Sequence, residues 1–338
     1  MNRLMLKIVA LLCASITVTY ADGHSTVCPA SESPVLQVLG SGGPIADDGR
    51  ASSGYLVWVN GRSRFLIDAG GGVFLRFGEA GARFEELEHI AISHFHTDHS
   101  SDLSALLKSG YFSDRTDTLG ISGPAGDGDY PGMNEYLQRL LAPEMGAYAY
   151  LDGYLDGSAG LVKLAPRTVD AQFQEFSRVY GGPAGTAEVT ALGVPHGPVP
   201  ALAYRIRIGE KSIVFSGDQN GSSDAFMEFA NGSNVLVMHM PVPEGISGTG
   251  RNLHAPPSRI ARLDNSLPMS IKEDRLTIPS DSKPTDACSH NDLIIQYCAE
   301  PSADNAGLRF KVEVKSFGYG PTHAGVGIPA ESIYFLAM

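Results

Sequence analysis

The sequence predicts an α+β fold, a sandwich of β-sheets flanked by helices, and three observations carry that reading. The chain has 338 residues, 43% hydrophobic and 18% charged, enough for one large domain or two small ones with a sizeable core. Its 39 glycines and 21 prolines make it turn-rich, which suits strands joined by loops better than a helical bundle. Its apolar runs are short, of strand length, with few helical stretches between them.

In order, Val35 to Leu39 reads as a strand followed by the turn Gly40-Ser41-Gly42-Gly43-Pro44. Tyr55 to Val59 and Arg64 to Ile67 read as a hairpin around Asn60-Gly61, closed by Asp68-Ala69-Gly70-Gly71-Gly72. His89 to Ser93 is a buried strand, and a helix runs from Ser101 to Ser109 with Ser100 or Ser101 as its cap. Residues 120 to 165 are rich in Gly and Tyr, with one helical stretch from Asn134 to Leu141. Strands return at Glu188 to Leu192, Ala203 to Ile208, Ser212 to Ser216 and Val235 to Met238.

The character changes near residue 262. Pro256 to Arg262 reads as a helix cut short, and Leu263 to Asp286 is polar with no clear periodicity. Leu308 to Phe317 alternates as a half-buried strand does, and Ile333 to Met338 is apolar. Residues 263–338 are therefore expected to be an atypical and poorly packed C-terminal segment.

At the other end, Arg3 and Lys7 precede the apolar stretch Ile8 to Val18, and Thr19-Tyr20-Ala21 fits a small-x-small cleavage site. Residues 1–21 read as a signal peptide, leaving Asp22 as the mature start and a secreted or periplasmic protein. The apolar run is shorter than the roughly 20 residues that span a bilayer, and no later segment is apolar enough to do so. Cys13 would leave with the signal; Cys288 and Cys298 could pair, with Cys28 left over. The formal net charge of -12 argues against a general affinity for nucleic acid or anionic membrane.

The chemistry is concentrated in His94-Phe95-His96-Thr97-Asp98-His99. A strand-to-helix loop here can aim His94 and His96 at one cation, and Asp98 and His99 at a neighbour. Imidazole and carboxylate together are what borderline cations such as zinc accept.

This motif resembles the metal-binding signature of the metallo-β-lactamase superfamily, and the chain from about Val35 to Arg262 follows suit. Leu39-Gly40-Ser41-Gly42-Gly43-Pro44 is similar to the opening turn of the superfamily's ribonuclease Z-like branch. Val194-Pro195-His196-Gly197 resembles the segment supplying that branch's third His ligand, and Phe215-Ser216-Gly217-Asp218 the strand end with a metal-bridging Asp. Leu236-Val237-Met238-His239 looks like the stretch with a proton-donating His, and His254-Ala255-Pro256-Pro257-Ser258 like a later segment near the site.

The resemblance implies a four-layer αββα metallo-β-lactamase sandwich, with residues 22–262 as a hydrolase domain. It implies two divalent cations, zinc favoured, held by His94, His96, Asp98, His99, His196 and Asp218. Asp98 and His239 would be catalytic, Asp98 orienting the nucleophile and His239 donating a proton, with His254 an additional site residue. The family's last His ligand is absent from Leu263 to Asp286; His290 and His323 are the remaining candidates. The expected substrate is a small phosphodiester or related ester, with nucleic acid not expected and a homodimer open. Lactone, aryl sulfate or β-lactam hydrolysis is the alternative within the superfamily, and a non-catalytic metal-containing binding protein the alternative outside it.

Overall fold

The structure is a computed structural model that describes residues 34–46, 49–172 and 174–260, and the backbone of 294–301, 308–315 and 332–336. The signal segment, Cys13, Cys28, Cys288, His290 and His323 lie outside the described residues.

The first sheet begins with β1 (Val35–Gly40), β2 (Gly54–Val59) and β3 (Arg62–Ile67), an antiparallel meander. The β2–β3 hairpin turns on Asn60 and Gly61, both at positive φ (53° and 71°), the conformation that two-residue hairpin loops require. After α1 (Val73–Glu79), β4 (His89–Ala91) pairs parallel to β3. Next come α2 (Thr97–Ser100) and α3 (Leu103–Gly110), then β5 (Leu119–Pro124) parallel to β4. α4 (Met133–Leu141) and α5 (Gly153–Asp156) lead to β6 (Leu164–Val169), parallel to β5.

The second sheet is built from β7 (Ser177–Gly181), β8 (Ala187–Val194), β9 (Ala201–Ile208) and β10 (Lys211–Phe215), antiparallel in succession. α6 (Asp224–Ala230) crosses over to β11 (Val235–His239), which runs parallel to β10. α7 (Thr249–Leu253) follows, and residues 257–260 are helical. β12 (Ile294–Pro301) and β13 (Leu308–Lys315) extend the first sheet beyond β1, and β14 (Ser332–Leu336) extends the second beyond β11.

Side-chain alternation explains the layering. Tyr55, Val57, Phe65 and Ile67 point between the sheets, where they meet Leu202, Tyr204, Ile206, Phe215, Val235 and Val237. The opposite faces are covered by helices. Leu56, Leu66, Ile90 and Ile121 pack on Val73 and Phe77 of α1, Leu106 and Leu107 of α3 and Leu137 of α4. Ala201, Val214, Leu236 and Met238 pack on Phe226 and Phe229 of α6. Four layers result, helices–sheet–sheet–helices, as expected.

Two local expectations are corrected. β5 and β6, at the two ends of the Gly- and Tyr-rich stretch, were not expected as strands, because Gly120, Gly123, Pro124 and Pro166 mask them; both run parallel to their neighbours, with β6 at the edge of the sheet. The helix expected from Ser101 is α3, which begins at Leu103 after a separate short helix inside the motif: Thr97 opens α2, and Ser100 does not cap but donates its Oγ–H to the carbonyl of His96 at 3.0 Å. Among the described residues, no helix is long and apolar enough to cross a membrane.

Candidate metal centre

The HFHTDH segment leaves the end of β4 and enters α2, so its side chains gather at one rim of the sandwich. The loop after β3 clamps it. The N–H of Ala69 donates to the carbonyl of His99 (2.8 Å), and the N–H of Asp102 to that of Ala69 (2.8 Å). The approach is close enough that a Cβ on Gly70 would lie 2.0 Å from the Asp98 carbonyl oxygen, so only glycine fits there.

Asp68, the residue before this clamp, organises the motif and was not singled out from the sequence. It holds a left-handed φ of 57° and is 1% exposed. Its Oδ1 accepts from the N–H of Ser93 (2.7 Å); its Oδ2 accepts from Ser93 Oγ (2.9 Å) and from His99 Nδ1 (2.7 Å). A carboxylate can only accept, so His99 donates from Nδ1 and turns its Nε2 into the site. Ser93 Oγ, having given its own proton to Asp68, accepts from His94 Nδ1 at 3.1 Å, which frees His94 Nε2 in the same way.

His196 arrives from the second sheet, in the loop after β8. Its Nδ1–H donates to the Leu253 carbonyl at 2.8 Å, leaving Nε2 3.4 Å from His96 Nδ1; His94 Nε2 lies 3.0 Å from that same atom. Asp218 follows Gly217, whose φ of 56° and closeness to the Leu202 carbonyl (2.4 Å from a would-be Cβ) exclude any side chain.

The two Asp218 oxygens face different groups. Oδ2 is 3.9 Å from both His94 Nε2 and His196 Nε2, and 3.6 Å from His254 Nδ1. Oδ1 is 3.6 Å from His99 Nε2, which in turn is 3.6 Å from Asp98 Oδ2. Ligand atoms around a tetrahedral cation with bonds of about 2.0–2.2 Å sit roughly 3.4 Å apart, so this spacing fits. His94, His96 and His196 form one such group, His94, His99 and Asp218 a second, and His196, Asp218 and His254 a third.

Electrostatics prepare these groups as ligands. Burial holds His94 well below the usual imidazole range and pushes His196 down to about 4, so both are neutral. Burial alone would raise Asp218, but His99 and the hydrogen bond from His239 outweigh it and keep the carboxyl ionised. His99 differs. Burial would lower it, yet the carboxylates of Asp68, Asp218 and Asp98 raise it to about 9, the mark of a buried site rich in negative charge. His99 Nε2 is buried and has no hydrogen-bond partner among the described residues, the orphaned atom that a cation would satisfy.

The expectation for His239 needs revision. It lies on the inward phase of β11, like Val235 and Val237, and is 2% exposed. Its Nδ1 is 2.8 Å from Asp218 Oδ1 and its Nε2 is 2.9 Å from the Tyr55 hydroxyl. Both nitrogens are thus engaged inside the sandwich. His254 stands on the open side. Its side chain is 20% exposed, and its Nδ1 has no hydrogen-bond partner among the described residues.

The chain is similar to known proteins in sequence and in fold. The family model described as anti-Pycsar protein Apyc1 matches residues 35–123. The ribonuclease Z of Mycobacterium bovis (strain BCG / Pasteur 1173P2) is 30% identical over 210 residues, which cover 60% of this chain and 68% of that protein. The ribonuclease Z of Mycobacterium sp. (strain KMS) is 30% identical over 187 residues, 54% of this chain, and the match spans only 60% of that relative's length. Among solved structures, the metallo-β-lactamase fold protein YhfI from Bacillus subtilis superposes with a TM-score of 0.50 at 22% identity, over 68% of this chain and 80% of that one.

Proposed function

The chain belongs to the ribonuclease Z-like branch of the metallo-β-lactamase superfamily, and from that membership we propose that it is a metal-dependent hydrolase of phosphodiesters or related esters, working with two divalent cations, zinc favoured. The observation that carries the reading is the divided carboxylate of Asp218, with Oδ2 toward His94 and His196 and Oδ1 toward His99. His94, His96 and His196 would hold one cation, Asp98 and His99 the other, with Asp218 shared between them. Such a pair supplies water activation near neutral pH and stabilises charge developing on a phosphoryl or carbonyl oxygen.

The residues do the rest. Asp68 and Ser93 hold the imidazoles of His99 and His94 by Nδ1, so that Nε2 of each faces the site. Asp98 orients the attacking water. His254, part exposed beside Asp218, is placed to hand a proton to the leaving oxygen, the role first expected of His239.

The relatives' name, ribonuclease, brings RNA back among the substrates and replaces the expectation that nucleic acid plays no part. That expectation rested on the whole-chain charge of -12, which does not describe the field at a cation-holding cleft. The signal segment adds the proposal that the protein acts outside the cytoplasm, testable by sequencing the N-terminus of the mature chain.

The test is metal analysis of the purified protein beside hydrolysis of bis(p-nitrophenyl) phosphate, a short RNA, and a panel of lactone, aryl sulfate and β-lactam substrates. Two cations per chain and turnover of a phosphodiester are expected. A chain that takes up no cation, or cleaves only a lactone, sulfate or β-lactam, overturns the reading.

A further inference from the structure

The resemblance points to the residues around the cations. It says nothing of Tyr55, a tyrosine with 0% exposure in the middle of the sandwich. Burying a hydroxyl in an apolar layer is unfavourable unless it is hydrogen-bonded, and here a phenylalanine would fill the same space. The polar atom therefore calls for an explanation.

Register supplies the first part. Tyr55 is on the inward phase of β2 and His239 on the inward phase of β11, so the two side chains meet across the interface between the sheets. The Tyr55 ring lies 5.5 Å from that of Phe215 and 5.8 Å from that of His239. Its hydroxyl reaches His239 Nε2 at 2.9 Å, and His239 Nδ1 reaches Asp218 Oδ1 at 2.8 Å.

Hydrogen-bond direction supplies the second. Asp218 is ionised and can only accept, so His239 must donate from Nδ1. With the ring's proton on Nδ1, Nε2 presents a lone pair that accepts from the Tyr55 O–H. Burial pushes the tyrosine's ionisation above its ordinary range, so that proton stays in place. The chain of donors runs one way, from Tyr55 through His239 to the carboxylate.

We propose, on the reading that the site holds two cations, that Tyr55 is a positioning residue: acting through His239, it fixes the Asp218 carboxylate so that each oxygen faces a different cation. Without the hydroxyl, His239 Nε2 is left buried with no partner and the ring is tethered by Asp218 alone. The imidazole is then free to turn, and the carboxylate it holds turns with it. The His239 N–H, which donates to Ser216 Oγ at 3.2 Å, holds the backbone in place, so the disturbance would fall on the side chains.

The test uses the full chain and Tyr55→Phe, which keeps the ring. Zinc stoichiometry against a competing chelator, and the absorption spectrum of the cobalt-loaded protein, should show the second cation bound about 10–100-fold more weakly than in wild type. In a His239→Asn background, where the tyrosine has lost its acceptor, Tyr55→Phe should change nothing further. Long-range proton–nitrogen correlations on the wild type should place the His239 proton on Nδ1, a readout that needs no variant. Unchanged second-cation affinity in a folded Tyr55→Phe protein, an equal loss in the His239→Asn background, or a proton on Nε2 overturns the proposal. A wild type that binds no second cation overturns the dinuclear reading itself, and this one with it.

Discussion

Asp68 Oδ2 stands 2.7 Å from His99 Nδ1, a contact that ties the end of β3 to the helix carrying the metal-binding motif. One buried carboxylate thereby fixes the direction of an imidazole 31 residues away.

Asp68→Asn should uncouple that pair. The amide keeps the shape but puts a donor or a weaker acceptor opposite Ser93 and His99, so the cation held by His99 should bind about 10–100-fold more weakly. Chelator titration of the folded variant checks this. Wild-type affinity would mean that the contact only fills space.

His254 and His239 should separate by leaving group. Protonation matters most when the leaving oxygen is basic, and a general acid typically contributes about 10²–10⁴-fold. His254→Ala should lose a factor in that range on an alkyl phosphodiester and far less on a nitrophenyl one. His239→Ala should lose similarly on both, because its part lies in holding Asp218. The reverse pattern would return the acid role to His239.

Removing the cations should destabilise the whole protein. A ligand present at about 100 times its dissociation constant stabilises the native state by about 2.7 kcal/mol. With about 2–4 °C of melting temperature per kcal/mol in a domain of this size, chelation should lower Tm by roughly 5–11 °C, reversibly on adding zinc. An unchanged Tm by calorimetry would argue against a bound cation.

The cation-free protein should also show a pH signature. His99 is raised to about 9, above the roughly 6.5 of an unfolded histidine, so the folded state binds the extra proton. Its contribution is fully present below about pH 6.5 and lost as pH rises through 9. Stability of the chelated protein should therefore fall between those values, where His94 and His196 are neutral folded and unfolded alike. Zinc affinity should rise over the same interval, since the cation displaces that proton. Denaturant titrations across the range test the first trend and competition binding the second; a flat profile in both would sink the assignment.

Much of this was legible in the sequence, for physical reasons that differ by residue. The HFHTDH ligands sit within six positions, so local spacing alone gathers them. Tyr55 to Val59 and Ala203 to Ile208 show as short apolar-rich runs bounded by turn residues. β5 was hidden because a strand packed on both faces has no alternation, and its glycines read as turns; β6 was hidden because it is a short edge strand with Pro166 inside it. Asp68 did leave a signal, an acidic residue between a buried strand and a glycine run, but it was taken for turn chemistry. The exchange of roles proposed for His239 and His254 was not legible. It depends on which phase of β11 faces the other sheet, and on Tyr55, which lies 184 residues away along the chain.

The ligands fall into two blocks about a hundred positions apart: His196 and His96, separated by 100 residues, have to face each other before either can share an ion. Neither block can close the coordination shell alone, so an ion is held weakly by a nascent chain and strongly only after both leaves of the sandwich have docked. A cation would then be a late arrival in folding, which cannot start the search for the native topology and instead bolts it once found. A slow, non-local β topology of this kind should fold at a rate that is nearly blind to metal and unfold at one that is not.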